Sequence, residues 1–173
     1  MKDLDKAVKF IWERNIKDDY NNGLILNEDT LKNALYYHLR TFFKKTYDII
    51  DFCIFTECNH YGFSDLNSRP DMIVVDKDTD KIVAIFELKY KSRNCPHVED
   101  LIYYDFYKIK EYMKRLDTVH SECQYYIGAI TLGEFNRPNW LDGRSKWAVG
   151  KVAELIAYEP DGIIKFQVIA HNE

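Results

Sequence analysis

The sequence predicts an α/β protein in which helices flank a mixed β-sheet. Segments with apolar residues at helical spacing precede and separate short runs rich in Val, Ile, Phe and Tyr, in the order α-α-β-β-β-α-β-(α)-β-β. The helical segment at residues 98–116 lies between two strand segments, and a crossover of this kind places the strands that it joins parallel. Two other pairs of strand segments, at residues 69–91 and 152–170, are separated only by short polar turns, which is typical of antiparallel hairpins.

Composition favours one domain over residues 1–173 and a protein of the cell interior. The chain is 46% hydrophobic, enough for a substantial core, and its net charge of -4 argues against strong non-specific binding of duplex nucleic acid by the whole surface. No stretch approaches the length of a membrane span, so we expect no membrane contact and a cytoplasmic location. The four cysteines form no Cys-x-x-Cys pair and fit a reducing compartment: Cys53, Cys58, Cys95 and Cys123.

Three helices are predicted with some precision. The first covers residues 2–17, and the third covers residues 98–116. The second is predicted to begin after Asn27, a favourable N-cap, and to run to about residue 43 with Glu28 and Asp29 in its first turn.

The strands are predicted from β-branched and aromatic runs bounded by turn residues. The first covers residues 47–57, and a buried strand covers residues 124–132. A short helix is predicted at residues 145–150, and a C-terminal hairpin at residues 152–170 either extends the sheet or forms a dimer edge.

The hairpin over residues 69–91 concentrates the residues best suited to chemistry. Asp71 opens its first strand, while Glu87 and Lys89 close the second and share one face of it. Two acids and a lysine at a sheet edge predict a divalent-metal site with a cationic partner. The alternative is a turn aspartate and an exposed cross-strand ion pair. Against it, Glu87 ends the apolar run of residues 82–86, where a buried carboxylate needs a specific reason.

Pro70-Asp71, followed sixteen residues later by Glu87-Leu88-Lys89, resembles the signature of the PD-(D/E)xK nuclease superfamily. The resemblance covers residues 27–132 as an αβββαβ core, with the Asp at the start of the second strand and the Glu-x-Lys at the end of the third. It implies a restriction-endonuclease-like fold, here with an extra N-terminal helix and a C-terminal β-hairpin.

The resemblance also implies a site. Asp71, Glu87 and Glu28 would bind Mg2+ (or Mn2+), together with the carbonyl group of Leu88. Lys89 would orient or help deprotonate the attacking water, or stabilise the pentacovalent phosphate.

The third acid has alternatives. A glutamate at position 28 also complements the dipole of its helix without any role in a site. Asp29, which is adjacent, and Glu57, at the end of the first strand, compete with Glu28 for the same role.

Several further residues have two interpretations. Asp105 and Lys108 share a side of the third helix, where some relatives place active-site residues, or they form a structural salt bridge. Lys91 and Arg93 either contact phosphates or belong to a solvated charge run. Three tyrosines of the third helix are predicted to pack against the protein: Tyr103, Tyr104 and Tyr107.

The function implied by the resemblance is metal-dependent hydrolysis of phosphodiester bonds, with DNA endonuclease as the leading expectation. The alternatives are a catalytically inactive nuclease-fold module for binding or assembly, and the same chemistry on RNA. The expected partner is nucleic acid, with DNA preferred. By analogy of fold alone, such small proteins also act as homodimers or within a larger defence, repair or mobile-element system.

Overall fold

The computed structural model describes residues 2–46, 51–58, 63, 69–91, 98–116, 122–132 and 146–171. In these ranges the predicted order of elements is confirmed. The helical elements are α1 (Lys2–Phe10), a π-helical segment (Ile11–Ile16), α2 (Lys17–Asn21), α3 (Glu28–Thr46), α4 (Val98–Leu116) and a short 3-10 helix (Lys146–Ala148). The strands are β1 (Phe52–Thr56), β2 (Met72–Asp76), β3 (Lys81–Lys91), β4 (Gln124–Thr131), β5 (Val152–Tyr158) and β6 (Lys165–Ala170).

The six strands form one mixed sheet in sequence order, β1-β2-β3-β4-β5-β6. Strand β2 pairs antiparallel with both of its neighbours, β1 and β3. Strands β3, β4 and β5 run parallel, as the crossover helix α4 predicts for the first of these pairs. The C-terminal hairpin extends the sheet, because β5 pairs with β4 and β6 pairs antiparallel with β5.

Helices cover both faces of the sheet, and each face has its own apolar core. One core lies between the sheet and α4 and contains Ile85, Ile109 and Ile127. The other lies between the sheet and the helices α1 to α3 and contains Leu35, Phe86 and many further apolar side chains. A strand in the middle of such a sheet is buried on both faces, which explains its almost unbroken apolar sequence.

The N-terminal helical segments contact the two C-terminal strands, β5 and β6. Trp12, in the π-helical segment, is fully buried and its indole N–H donates to the carbonyl oxygen of Ile156 at 3.2 Å. Its ring lies 5.8 Å from the ring of Phe166 on β6. The backbone N–H of Val168 donates to the carboxylate of Glu13 at 3.3 Å. These contacts join the beginning of the chain to its last strands.

Strand β3 approaches β4 closely beside the predicted site. Leu88 pairs in register with Gly128, and a Cβ atom on Gly128 would lie 2.6 Å from Cδ2 of Leu88 and 3.5 Å from the ring of Trp12. A side chain at position 128 therefore requires Leu88 to move.

The prediction that the tyrosines of α4 pack against the protein is wrong. Tyr103, Tyr104 and Tyr107 have relative exposures of 45%, 57% and 61%. The three tyrosines lie outside the buried stripe of α4. The apolar side chains of that stripe are Ile102, Phe106, Ile109, Tyr112, Met113 and Leu116. No helix in the described ranges has both the length and the apolar character required to cross a bilayer.

Candidate functional site

A capping box sets the start of α3 and thereby the position of Glu28. The side-chain oxygen of Asn27 accepts a hydrogen bond from the backbone N–H of Thr30 at 2.8 Å. The hydroxyl of Thr30 in turn accepts from the backbone N–H of Asn27 at 3.0 Å. This reciprocal pair satisfies backbone donors that the helix leaves open, and it confirms the predicted N-cap. Glu28 is the first residue of the helix that follows.

Asp71 lies immediately before β2 and is held by the neighbouring strand. Its Oδ2 accepts a hydrogen bond from the backbone N–H of Leu88 at 2.7 Å. Its own carbonyl accepts from the backbone N–H of Glu57 at 3.2 Å. Because Met72 pairs with Phe86 in antiparallel register, Asp71 continues the ladder opposite Glu87.

Glu87 is a fully buried carboxyl group on the α4 face of β3. The hydroxyl of Tyr112 donates to Oε1 at 3.0 Å, and the ammonium group of Lys108 donates to Oε2. Burial raises the pKa of Glu87 to about 8, and the charges of Asp71 and Asp105 add to this effect while Lys108 opposes it. A group of this kind favours either a proton or a positive partner close to it.

Lys89 lies between two carboxylates. Its ammonium nitrogen is 3.3 Å from Oε1 of Glu28 and 3.5 Å from Oδ2 of Asp105. Burial lowers the pKa of Lys89, but the charges of Asp105, Glu28 and Asp71 outweigh it, so that its pKa is raised. The side chain is therefore positively charged in this arrangement.

Asp105 joins the site from α4 and is 1% exposed. Its Oδ1 accepts from Lys108 at 3.3 Å, so the predicted salt bridge along the helix is present. Its Oδ2 is within ion-pair distance of Lys89 but has no hydrogen-bond partner among the described residues. Burial raises the pKa of Asp105, although both lysines oppose this. The pair Asp105 and Lys108 is thus both a salt bridge and part of the site.

These six side chains form what we call the acidic cluster: Glu28, Asp71, Glu87, Lys89, Asp105 and Lys108. They come from α3, the residue before β2, the end of β3 and the side of α4. When all six groups are ionised, the four carboxylates exceed the two ammonium groups by two negative charges, the charge that a divalent cation would neutralise. Without a cation, the raised pKa of Glu87 removes one of these negative charges at neutral pH.

The cluster has carboxylate ligands of the kind that bind a divalent cation, but its side chains are not grouped around one metal position. Carboxylate oxygens are the ligands that Mg2+ prefers, and Oδ2 of Asp105 is a buried acceptor without a hydrogen-bond donor among the described residues. In the same ranges, no three His, Cys, Asp or Glu side chains are already grouped as a metal site. Lys108 contributes to this arrangement, because it donates to Oε2 of Glu87, an oxygen that a cation would need.

Asp29 and Glu57, the other candidates for the third acid, lie near Lys32 and not in the cluster. Lys32 lies 2.7 Å from the carboxylate of Glu57 and 3.6 Å from that of Asp29. Glu57 is largely exposed, and its pKa is lowered by the hydrogen bond from Lys32. Glu28 instead contacts Lys89. Of the three candidates, Glu28 is the acid that joins the cluster.

Two residues near the site, Lys32 and Tyr112, were not predicted to contribute to it. Lys32 follows Glu28 by four positions and Tyr112 follows Lys108 by four, so each lies on the same side of its helix as a residue already singled out. This spacing could have indicated that both residues lie near the site.

The remaining predicted positions lie at the margin of the site or outside the described ranges. Lys91 is half-buried at the end of β3, and Arg93 falls outside the described residues. Cys53 and Cys58 are free thiols, Cys123 is buried immediately before β4, and Cys95 is also outside the described residues.

Comparison with known proteins identified no relative. No family model matches the chain, and neither a curated protein nor a solved structure does. The function has to be argued from the residues of the site.

A second buried acid on the same sheet face provides a useful contrast. Glu154 on β5 lies in the cross-strand row that also contains Ile127 and Glu87, and it is likewise fully buried. Its carboxylate lies 2.6 Å from Nε2 of His171. Glu154 is thus satisfied within the C-terminal strands and is two strands away from Glu87.

Proposed function

We propose that this protein is a Mg2+- or Mn2+-dependent nuclease of the PD-(D/E)xK class that hydrolyses phosphodiester bonds, with DNA as the preferred substrate. The observation that supports it most strongly is the convergence of Asp71, Glu87 and Lys89 with Glu28 at one edge of the sheet, where Glu87 is a fully buried acid. Buried charges in proteins are paired or bind metals, and Glu87 faces an excess of negative charge.

The topology supports the same assignment. From α3 to β4 the order is helix, three antiparallel strands, crossover helix and a strand parallel to the third. This is the αβββαβ order of the restriction-endonuclease-like core. The cluster lies at the end of β3, where that class places its Glu-x-Lys motif.

Each residue has a role in this proposal. Asp71, Glu87 and Glu28 would hold the cation, with the Leu88 carbonyl as a further ligand. When bound, the cation neutralises charge on the scissile phosphate and lowers the pKa of a water molecule. Lys89 is positively charged, which favours positioning the water or the phosphate over removing a proton. Lys108 pairs with Glu87, and a cation held by the same carboxylate oxygen would replace this contact.

Cleavage of nucleic acid tests this proposal. Purified protein is incubated with supercoiled plasmid, single-stranded DNA and RNA, with Mg2+, Mn2+ or EDTA. We expect cleavage that EDTA abolishes, and a loss of about 100-fold or more in Glu87→Ala and Lys89→Ala, the usual effect of removing one electrostatic contributor in an active site.

The matched control is Glu154→Gln, since Glu154 is as buried as Glu87 and lies on the same face but outside the cluster. Its activity should remain close to that of the wild type. Cleavage that persists in EDTA, or that is equal in all three variants, would contradict the proposed mechanism.

One observation favours a non-catalytic alternative. Both carboxylate oxygens of Glu87 are engaged by protein groups, Tyr112 and Lys108, and Lys108 neutralises the charge that would attract a cation. A nuclease-fold module that binds or assembles without cleaving would keep this ion pair permanently. Absence of cleavage on every substrate and with either metal would select this alternative.

A further inference from the structure

We propose that the outer face of α4 binds single-stranded nucleic acid and leads it to the acidic cluster. This inference rests on the proposed function, because it assigns the class of substrate on which that site acts. The surface consists of three exposed tyrosines followed by lysines and a tryptophan, and we call it the α4 track: Tyr103, Tyr104, Tyr107, Lys110, Lys114 and Trp147.

The track begins at the rim of the cluster. The ammonium group of Lys108, which donates to Glu87, lies 6.0 Å from the centre of the Tyr104 ring. Tyr104 is 57% exposed, so its ring lies between the cluster and solvent. A base stacked on this ring would place its phosphate close to the ammonium group of Lys108.

Helical spacing continues the surface away from the site. Tyr103, Tyr107, Lys110 and Lys114 follow one another at intervals of four, three and four residues, so they lie on one side of α4. The distance from the first to the last is about 17 Å at 1.5 Å per residue. At about 100° per residue, Tyr104 lies between this side of α4 and the side that carries Lys108 and Asp105, so the surface reaches the cluster around the helix through Tyr104.

The far end of the track is basic and aromatic. Lys110 lies 5.9 Å from the ring centre of Trp147, and these two residues line a cavity of about 240 Å³ together with Lys114 and Lys151. Glu111 is paired with Lys114 at 2.5 Å and offsets one positive charge. A row of exposed tyrosines followed by lysines offers contacts to bases and to phosphates of the same strand.

The chemistry favours a single strand over a duplex and over a protein. Exposed rings stack on unpaired bases, whereas the bases of a duplex are already stacked on one another. The acidic chain, with a net charge of -4, disfavours broad attraction to duplex phosphates. Lysine is depleted at the centres of protein interfaces, which makes the mixture of Tyr and Lys less suited to a protein partner.

Binding in EDTA tests the track without requiring cleavage. Fluorescence anisotropy is measured with a short labelled oligothymidylate, its RNA counterpart and a duplex of the same length. We expect the single strands to bind more tightly than the duplex. Tighter binding of the DNA strand would identify DNA as the substrate, tighter binding of the RNA strand would identify RNA, and either supports the track.

Substitutions in the track separate stacking from charge. Tyr107→Ala should weaken binding about fivefold or more, the effect of losing one stacked base, while Tyr107→Phe should bind like the wild type. Lys110→Glu should reduce the slope of log affinity against log salt by about 0.7 or more, the value for one phosphate contact to a single strand. The controls are Tyr37→Ala and Lys45→Glu on α3, which exchange an exposed tyrosine and an exposed lysine outside the track.

The outcomes distinguish single-strand binding by the α4 track from cleavage by the proposed nuclease site. Equal affinity for single strand and duplex, unchanged binding by Tyr107→Ala, or no binding at low salt would overturn the track even if the protein cleaves nucleic acid. Track-dependent binding by a protein that cleaves nothing in Mg2+ or Mn2+ would support the track and contradict the proposed nuclease.

Discussion

At the scale of single residues, Glu87 is a carboxyl group without access to water, and it directly follows the apolar run of residues 82–86 on β3. Its proximity to Asp71 and its position beside Lys89 could be predicted from strand pairing and from the two-residue period of a strand. Its contacts with Tyr112 and Lys108 could not, since they depend on how α4 is rotated against the sheet. Lys89 could likewise be assigned to the site, but its positive charge follows from contacts with Glu28 and Asp105 that only the assembled fold creates.

The buried state of Glu87 predicts a pH-dependent stability in the absence of metal. Its folded pKa of about 8 lies above its ordinary value of 4.5, so the folded protein retains a proton that the unfolded chain releases. The contribution of Glu87 is fully present below pH 4.5 and is lost as the pH rises towards 8, with a slope of up to about 1.4 kcal/mol per pH unit.

Urea unfolding in EDTA across this pH interval measures the effect. The free energy of unfolding of the wild type should fall with rising pH relative to that of Glu87→Gln, which cannot ionise. Parallel pH profiles for the two proteins would show that Glu87 ionises in the folded state as it does in the unfolded chain.

The contact between Gly128 and Leu88 predicts the effect of a single methyl group. Gly128→Ala would place Cβ 2.6 Å from a methyl carbon of Leu88, which is fully buried between Glu87 and Lys89 on β3. We expect a loss of about 1 kcal/mol or more in unfolding free energy, as for other overpacked cores. Thermal unfolding measures it, and a variant as stable as the wild type would mean that Leu88 turns away at no cost.

At the scale of secondary-structure elements, the capping residues predicted the start of α3, and hydrophobic spacing predicted the bounds of α4. The prediction that Tyr103, Tyr104 and Tyr107 pack against the protein did not follow from spacing, because helical spacing leaves them outside the apolar side of α4, and they are exposed. Lys32 was missed although it lies one turn after Glu28, because its partner Glu57 belongs to a different element.

The capping box predicts that a residue outside the cluster affects it through Glu28. Asn27→Ala removes the acceptor for the Thr30 N–H and should lower the unfolding free energy by about 1 kcal/mol. Fraying of the first turn would also loosen the contact between Glu28 and Lys89, so cleavage should fall as well. Asn27→Asp, which keeps the acceptor, should restore both properties. Equal stability of Asn27→Ala and the wild type would contradict this role of the cap.

At the scale of the whole molecule, the sheet gathers four distant parts of the chain at one edge. The order of elements and the parallel pairing of β3 and β4 could be predicted, because a crossover helix leaves little choice. The placement of the C-terminal hairpin could not, since a hairpin can add to a sheet or form an edge for another chain. Its place is set by packing between distant segments, notably by Trp12 against Ile156 and Phe166.

If the acidic cluster is a divalent-cation site, calorimetric titration will detect Mn2+ binding that depends on its carboxylates. The wild type and Glu154→Gln should bind Mn2+ saturably. Glu87→Gln and Asp71→Asn should bind it far more weakly, because each removes one of the carboxylates that would hold the cation. Binding that is absent in the wild type, or that is equally strong in all four proteins, would contradict the account.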